Sequence, residues 1–299
     1  MAQLRGTRLT GYRAAVGFSR QLIAAIGELL LDVTIAPEGD LKPDDDCDAI
    51  IRIGGGGQAA NFCAWAASLG EPARLITRVG GDDVGRRLVS DLRSAGVEVA
   101  GPVADEPTGA VAVLVGKGGK RAFARQRGAS RGLGPDDIEP AWLDDVALLH
   151  VSAYALYLEP LAGAARRAVE LARQRRALLS VDLASTADLQ AFGPRRMTDV
   201  LIELEPEVLF ATEPEAGAMP VSMDSLAKVP VVKLGERGCR IFGRRIPAPS
   251  VSLVDGTGAG DAFAAAFCVA YLEGATPLEA AGRAVLVGAR AVTQLGARP

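Results

Sequence analysis

Residues 254–261 read VDGTGAGD and run directly into the apolar stretch AFAAAFCVAYL at residues 262–272. Glycines at 258 and 260 let the backbone turn tightly, so that several N–H groups converge where the following helix begins. Converging donors bind an anion and stabilise the charge on a transferring phosphoryl group. Asp261 lies in the first helical turn, where the helix dipole favours an ionised carboxylate that can accept a proton. The stretch predicts a phosphate cradle with a base; the simpler alternative is a glycine-rich turn with a favourable first-turn acid.

The rest of the chain alternates short apolar runs with helix-like runs. Strand-like runs cover 22–26, 74–79, 147–151, 177–182, 208–211 and 229–234, and helix-like runs cover 58–69, 82–95, 161–175 and 277–295. This alternation predicts a parallel sheet covered by helices on both faces. A strand at 49–53 and a hairpin at 110–125 break the rhythm, which predicts a small second sheet over the main one.

These patterns indicate one α/β domain over residues 21–299, with lid segments near 33–53 and 108–127. Residues 1–20 contain several arginines and no acid, and we expect them to form a flexible N-terminal extension.

Composition excludes several classes of protein. The 299 residues carry a net charge of −3 without a stripe of lysine and arginine, so a nucleic acid is not an expected partner. No apolar helical stretch is long enough to cross a bilayer, so a membrane is not expected either. Four scattered cysteines (Cys47, Cys63, Cys239 and Cys268) predict buried thiols in a reducing compartment, hence a cytoplasmic location. The single histidine, His150, lies in a strand-like run, which leaves proton transfer to carboxylates.

A second glycine motif, GGGGQAAN at residues 54–61, precedes the first helix. Gly56 and Gly57 permit close approach of the backbone to a ligand, and Asn61 offers both a donor and an acceptor. Upstream, Gly27 and Glu28 are followed by Asp32. These residues predict a site for polar groups of a small molecule; the alternative is a loop acid and a helix-surface asparagine.

Together the motifs resemble the ribokinase-like (PfkB-type) family of carbohydrate kinases. Residues 255–261 resemble its D-T-x-G-A-G-D signature, with Gly256 where threonine is commonest, and residues 56–61 and 27–32 resemble its G-G-x-x-x-N and G-E-x-x-x-D motifs. The resemblance runs from residue 22 to the end of the chain. It implies an α/β fold, a ribokinase-like three-layer sandwich with a mostly parallel central sheet and a small β lid. It also implies ATP-dependent phosphorylation of a hydroxyl on a small sugar or sugar-like substrate, with Mg²⁺ and with K⁺ as a further cofactor.

The resemblance assigns roles to the matching residues. The catalytic set is Asp261 as general base, with Gly258, Ala259 and Gly260 as the anion hole. The substrate-binding set is Asp32, Gly56, Gly57 and Asn61, and the nucleotide-binding set is Lys233, Gly235, Gly238 and Thr257. Glu215 is implied to organise Mg²⁺ indirectly, with Thr212 in place of the family's asparagine, and Asp255 to hold a monovalent cation near residues 296–297. Lys233 replaces a threonine, and contact with a phosphate or simple exposure both remain open for it.

Two other functions compete with this interpretation. Residues 55–60 fit the G-x-G-x-x-A pattern of an NADP-dependent oxidoreductase, but this leaves residues 255–261 unexplained. A non-catalytic sugar or nucleotide sensor on the same fold is the second alternative. The substrate is not determined: the arginines at 121, 125 and 127 could meet a carboxylate or phosphate, and we expect them to be solvated. Exposed strand edges in the lid lead us to expect a homodimer.

Overall fold

The computed structural model describes residues 21–116 and 121–299. The predicted extension at 1–20 and the tip of the predicted lid hairpin at 117–120 lie outside the described residues. The strands are β1 (Leu22–Ile26), β2 (Leu30–Pro37), β3 (Ala49–Gly56), β4 (Ala73–Ile76), β5 (Val79–Gly80), β6 (Val97–Ala100), β7 (Val103–Ala104), β8 (Thr108–Val115), β9 (Arg121–Gly128), β10 (Val146–Ser152), β11 (Leu178–Asp182), β12 (Val208–Thr212), β13 (Val229–Lys233), β14 (Cys239–Ile241) and β15 (Arg244–Ile246). The helices are α1 (Gln58–Ser68), α2 (Asp83–Ser94), α3 (Leu161–Gln174), α4 (Thr186–Phe192), α5 (Pro194–Leu204), α6 (Glu213–Ala218), α7 (Ala259–Leu272) and α8 (Pro277–Ala291). Over these ranges, none of the helices could span a membrane.

A nine-stranded sheet forms the middle of the molecule, in the order β15-β14-β13-β12-β11-β10-β1-β4-β6. Its strands are parallel from β6 to β13, and β14 and β15 close one edge as antiparallel strands. Both faces of β1 are buried, because Ile23 and Ala25 join one apolar core while Ala24 and Ile26 join the other. Continuous apolar strands of this kind are what a sheet covered on both faces requires.

Helices cover the two faces of this sheet. Helices α1, α2, α7 and α8 enclose one core around Phe62, Phe210 and Phe267, and α3 and α5 enclose the other around Val181 and Leu201. The predicted fold class, a three-layer α/β sandwich with a mostly parallel central sheet, is therefore confirmed. Helix α8 ends at Ala291 rather than near residue 295, because residues 292–294 form a turn.

A separate four-stranded sheet, in the order β3-β2-β8-β9, stands beside the sandwich and is called the lid sheet below. Asp82 ties it to the main body: its carboxylate caps the start of α2 through Gly85 N (2.7 Å) and also accepts from Thr108 N (2.8 Å) and Thr108 Oγ1 (2.7 Å) at the start of β8. The capping residue thus fixes where the lid sheet leaves the sandwich.

The strand pairing of the lid sheet excludes one alternative function, the NADP-dependent oxidoreductase. Glycines 54–56 of the glycine run are the last residues of β3, which pairs antiparallel with β2 in the lid sheet and takes no part in the parallel sheet. A dinucleotide-binding turn has to follow a strand of the parallel sheet in a βαβ unit. The oxidoreductase interpretation is therefore wrong, because its glycine motif does not follow a strand of the parallel sheet.

The carboxyl ends of five neighbouring strands meet at one edge of the central sheet. Strand β1 pairs with β4 on one side and with β10 on the other, so the winding of the chain changes direction there. Ligands of open α/β sheets bind outside such a switch point. The residues that end these five strands are Ile26, Ser152, Asp182, Thr212 and Lys233.

Candidate active site

The glycine loop before α7 has the geometry that an anion site needs. Gly258 caps the helix with a positive φ of 74°, and a Cβ on it would lie 2.3 Å from the carbonyl oxygen of Ala297. Only glycine fits this position, because both the backbone conformation and the contact exclude a side chain. The first N–H group of α7 that donates to a carbonyl of the helix is that of Ala262. The N–H groups of Gly258, Ala259 and Gly260 precede it, so they have no partner within the helix and lie at its N-terminal end.

Asp261 lies in the first turn of α7, where its Oδ2 accepts a hydrogen bond from Asn61 Nδ2 at 2.9 Å. Burial raises the pKa of this carboxyl from 3.8 to about 7, while the hydrogen bond from Asn61 opposes that shift. Asp182 raises the pKa further, and Lys233 and a bond from Gln58 lower it. A carboxyl group with a pKa near 7 is about half ionised at neutral pH, which suits a group that accepts a proton.

Lys233 ends β13 inside the site rather than on the surface, so of the two alternatives left open for it, simple exposure is wrong. Its Nζ lies 2.5 Å from Asp182 Oδ2 and 3.3 Å from the position of a Cβ on Gly260. Burial works against the charge, but the carboxylates of Asp182, Glu215 and Asp261 outweigh it and raise the pKa of Lys233. The ammonium group therefore stays charged directly beside the anion loop.

Sequence reasoning missed Asp182. It is wholly buried at the end of β11, and its carboxylate also accepts from Ala184 N at 3.1 Å. The available signal was its position: an acid that directly follows a buried parallel strand lies at the carboxyl edge of the sheet, where ligands bind.

Glu215 forms a capping box with Thr212 at the start of α6. Thr212 N donates to Glu215 Oε2 at 2.7 Å, and Glu215 N donates to Thr212 Oγ1 at 3.4 Å. The threonine that replaces the expected asparagine thus serves as a helix cap. Burial, followed by the nearby Asp182 carboxylate, raises the pKa of Glu215.

The predicted substrate residues lie at the junction of the lid sheet with α1. Asp32 accepts from Thr34 Oγ1 at 3.1 Å, and a Cβ on Gly56 would lie 3.1 Å from its Cβ, so the two residues adjoin. Gly57 has a φ of 94° and no room for a side chain, because a Cβ would lie 2.2 Å from the carbonyl oxygen of Glu28. Burial raises the pKa of Asp32.

Asn61 is buried, so the alternative of a helix-surface asparagine is wrong. It is only 5% exposed, and both ends of its amide are engaged, one by Asp261 and the other by Arg298, whose Nε donates to Asn61 Oδ1 at 3.1 Å. Sequence reasoning missed Arg298, which follows α8 and carries no motif. It also missed Gln58 and Ser152, which hydrogen-bond each other beside Asp261.

The remaining predicted residues shape the loops around the site. Asp255 Oδ1 accepts from Thr257 N (2.9 Å) and from Thr257 Oγ1 (2.7 Å), and its Oδ2 accepts from Gly296 N at 3.1 Å. Gly235 and Gly238 turn the chain between β13 and β14 with φ values of 62° and 91°. The Asp255 contacts join the anion loop to the segment after α8.

Two lid arginines also reach the body of the protein. Arg127 pairs with Glu28, Arg125 pairs with Asp188, and both guanidinium groups lie over the ring of Tyr154 at 5.0 and 5.4 Å. The expectation of solvated arginines is wrong for Arg127, whose side chain is 11% exposed. These pairs attach β9 to the core next to the substrate residues.

Comparison with known proteins agrees with this geometry. The family model described as pfkB family carbohydrate kinase matches residues 20–299. The chain belongs to this family. The kinase is 30% identical to fructokinase-1 of Zea mays over 267 residues, covering 83% of its own chain and 82% of the relative. It is also 30% identical to the 2-dehydro-3-deoxygluconokinase of Thermoproteus tenax over 302 residues, covering 90% and 89% of the two chains.

A solved structure extends the comparison to the nucleotide. The E. coli protein assigned as a ribokinase II, in complex with ATP and Mg²⁺, superposes on the kinase with a TM-score of 0.80 at 25% identity, covering 93% and 94% of the chains. Family and fold together identify the chain as an ATP-dependent carbohydrate kinase.

Proposed function

We propose that this kinase transfers the γ-phosphoryl group of ATP to a hydroxyl of a small sugar or sugar-like molecule, with Asp261 as the general base. One observation carries the proposal: a carboxylate with a pKa of about 7 stands in the first turn of a helix whose glycine N-terminus forms an anion hole. The proton acceptor and the N–H groups that bind the transferring phosphoryl group are thus adjacent, as in-line transfer requires.

In the proposed transfer, the substrate hydroxyl gives its proton to Asp261 as its oxygen bonds to the γ-phosphorus, the bond from that phosphorus to the bridging oxygen breaks, and ADP leaves. The amides of Gly258 to Gly260 stabilise the equatorial oxygens, and Lys233 adds a positive charge at the same place. General-base assistance of this kind contributes about 10²–10⁴ in rate.

Mg²⁺, when bound, neutralises phosphate charge and orients the nucleotide. Asp182 and Glu215 fit a role in holding it, because both are buried carboxylates beside Lys233. The described parts of the chain contain no cluster of three protein ligands for a metal. That agrees with Mg²⁺, which usually takes one or two carboxylates and completes its shell with phosphate and water.

The sugar would lie between Asp32 and Asp261, with Gly56 and Gly57 leaving room for its ring. We propose that the lid sheet closes over it and excludes water, which otherwise competes for the phosphoryl group. The relatives named above act on a ketose and on a keto sugar acid, so both chemistries belong in the first assay.

Three further features extend the proposal. The face of the lid sheet opposite Asp32 exposes Ile51 and Ile53, a suitable surface for a homodimer. The carboxylate of Asp255 beside the segment at 296–297 would hold K⁺. Free buried thiols at Cys63 and Cys268 suit a cytoplasmic location.

The deciding experiment is coupled ADP release with Mg-ATP, with and without K⁺, over sugars, sugar acids and nucleosides. Substrate-dependent release supports the proposal and identifies the substrate class. Binding of ATP and a panel compound without release would instead support the sensor alternative. Absence of ATP binding would refute the assignment of the nucleotide site.

A further inference from the structure

Arg298 occupies a position behind the glycine strand of the lid sheet. Its Nη2 donates to the carbonyl oxygen of Gly56 at 2.9 Å, and its Nε donates to Asn61 Oδ1 at 3.1 Å. Among the described residues, no carboxylate lies within 4 Å of its guanidinium. The guanidinium is therefore held by neutral acceptors that belong to two different elements, β3 and α1.

Gly55 makes this position possible. A Cβ at Gly55 would lie 2.1 Å from Arg298 Nη1, so any other residue would displace the guanidinium. In the strand pairing Gly55 is opposite Leu31 and Gly54 is opposite Asp32, and neighbouring residues of a strand point to opposite faces. Arg298 thus lies on the face of β3 away from Asp32, behind the substrate residues rather than among them.

The segment that carries Arg298 is itself fixed to the site. Trp65 Nε1 donates to the carbonyl oxygen of Ala297 at 3.0 Å, and that residue packs against Gly258 in the anion loop. Gly296 N donates to Asp255 Oδ2 at 3.1 Å. These contacts set the position of the Arg298 backbone relative to α1 and to the N-terminus of α7.

Hydrogen-bond chemistry then determines how Asn61 is oriented. A guanidinium has donors only, so it must face the carbonyl end of the Asn61 amide. The NH₂ end is thereby turned toward Asp261, whose ionised carboxylate only accepts. Within residues 21–116 and 121–299, Arg298 is the only side chain that donates to Asn61 Oδ1, so its removal would free the amide to turn over.

We propose that Arg298 is a positioning residue for the phosphoryl transfer, acting through Asn61 to hold the base in its ionised form and to couple that base to strand β3 of the lid sheet. The inference rests on the proposed role of Asp261. It goes beyond the family motifs, which include neither Arg298 nor a link between the asparagine and the segment after α8.

Several charged groups face Asp261, and each has to be considered when its titration is interpreted. Helix α1 presents the uncharged Gln58 and Asn61; the charged groups are Asp182 on β11, Lys233 on β13 and Arg298 after α8. Arg298 remains protonated at neutral pH, because burial lowers its pKa only to about 10. Its charge, and its polarisation of the Asn61 amide, favour the ionised carboxylate. Removal of Arg298 should therefore shift the titration of Asp261 to higher pH.

The sequence supplies a direct probe, because Asn61 is the single asparagine of the chain. Incorporation of side-chain ¹⁵N-labelled asparagine gives one NH₂ signal pair, whose shift follows the ionisation of Asp261 across the 2.9 Å hydrogen bond. We expect the titration midpoint to move to higher pH in Arg298→Met and to stay unchanged in Arg290→Met, which alters an exposed arginine of α8. An unchanged midpoint in Arg298→Met overturns the proposal.

Kinetics provide the second readout. In Arg298→Met, the kcat/KM for the substrate found in the ADP-release assay should fall about three- to tenfold at pH 7 and recover at pH 9. Arg298→Lys keeps the charge but cannot donate to both acceptors, and should fall between wild type and Arg298→Met. A loss that is equal at all pH values, with thermal unfolding unchanged, would contradict action through the base.

The double variant Arg298→Met/Asn61→Ala tests the route of the effect. If Arg298 acts through Asn61, the second substitution should add little to the first, whereas independent effects would multiply. The NMR titration needs no substrate. Failure of every panel compound to release ADP would therefore count against the proposed function and leave the Arg298 proposal to be judged by the Asn61 signal.

Discussion

Replacement of Asp261 by asparagine tests the proposed base most directly. The side chain keeps its shape and can still accept from Asn61, but it cannot take a proton from a hydroxyl. We expect kcat to fall by about 10²–10⁴ with little change in ATP affinity, because general-base assistance is lost while the anion loop remains.

The pH dependence supplies a sharper form of the same prediction. With a pKa of about 7, wild-type kcat/KM should lose roughly tenfold per pH unit below neutrality and reach about 1% of its plateau at pH 5. An aspartate at its ordinary value of 3.8 would give a nearly flat profile over that range. The residual activity of Asp261→Asn should have no acid limb near pH 7.

Stability should change in the opposite direction to activity. Burial raises the folded pKa of Asp261 above its unfolded value, so the charged form costs folding energy at pH 7 and above, and the cost declines as the pH falls toward 4. Asp261→Asn removes this cost and should stabilise the fold at pH 8 by on the order of 2–4 kcal/mol, with the gain vanishing near pH 4.

Steady-state ADP release from pH 5 to 9 and thermal unfolding at pH 4 and 8 measure both effects. Asp199→Asn, on the exposed face of α5, is the matched control and should change neither. Near wild-type turnover in Asp261→Asn, or a wild-type profile flat down to pH 5, would refute the reasoning.

Three other substitutions follow from the packing. Gly258→Ala should cost about 1–3 kcal/mol and abolish turnover, because a positive φ and a backbone contact exclude the methyl group. Lys233→Met should destabilise by about 3–5 kcal/mol, because it leaves Asp182 charged and unpaired; adding Asp182→Asn should restore stability but not activity. Asp82→Ala should cost about 1–2 kcal/mol and raise KM, because it loses both the cap of α2 and the anchor of Thr108.

Each of these has a matched control, and chemical denaturation with ADP release measures all of them. Gly282→Ala in α8 meets open space and should stabilise by about 0.5–1 kcal/mol. Lys228→Met removes an exposed pair with Glu207 and should cost under about 1 kcal/mol. Asp83→Ala changes an exposed acid next to Asp82 and should leave KM unchanged. Equal effects in a variant and its control would contradict the corresponding argument.

The local pattern of apolar residues and glycines was sufficient to predict much of the fold. Strand β1 could be predicted from its continuous apolar run, because a strand buried on both faces of a sheet is apolar throughout. Helix α1 could be predicted from its apolar residues and from the glycine that ends it. Strand β6 and helices α4 to α6 were not predicted. Strand β6 and helices α4 and α6 are only four to seven residues long, and their stability comes from packing against neighbours. Helix α5 does carry a helical period, with Met197, Val200, Leu201 and Leu204 buried on one face, and this signal was missed.

For the site, the sequence by itself determined the position of the loop glycines and of Asp261 at the start of a helix, and the roles proposed for them as anion hole and base rest on that local spacing. Only the tertiary structure brought in Asp182 and Arg298, and only it placed the predicted site residue Lys233 beside Asp261. Their contacts join positions 51, 27 and 237 residues apart, as in Lys233–Asp182, Lys233–Gly260 and Arg298–Asn61. No local sequence pattern predicts contacts between residues so far apart in the chain, since these contacts depend on the order of the strands and on the course of the chain after α8. The raised pKa of Asp261 belongs to the same class, because burial is a property of the folded molecule and not of the residue.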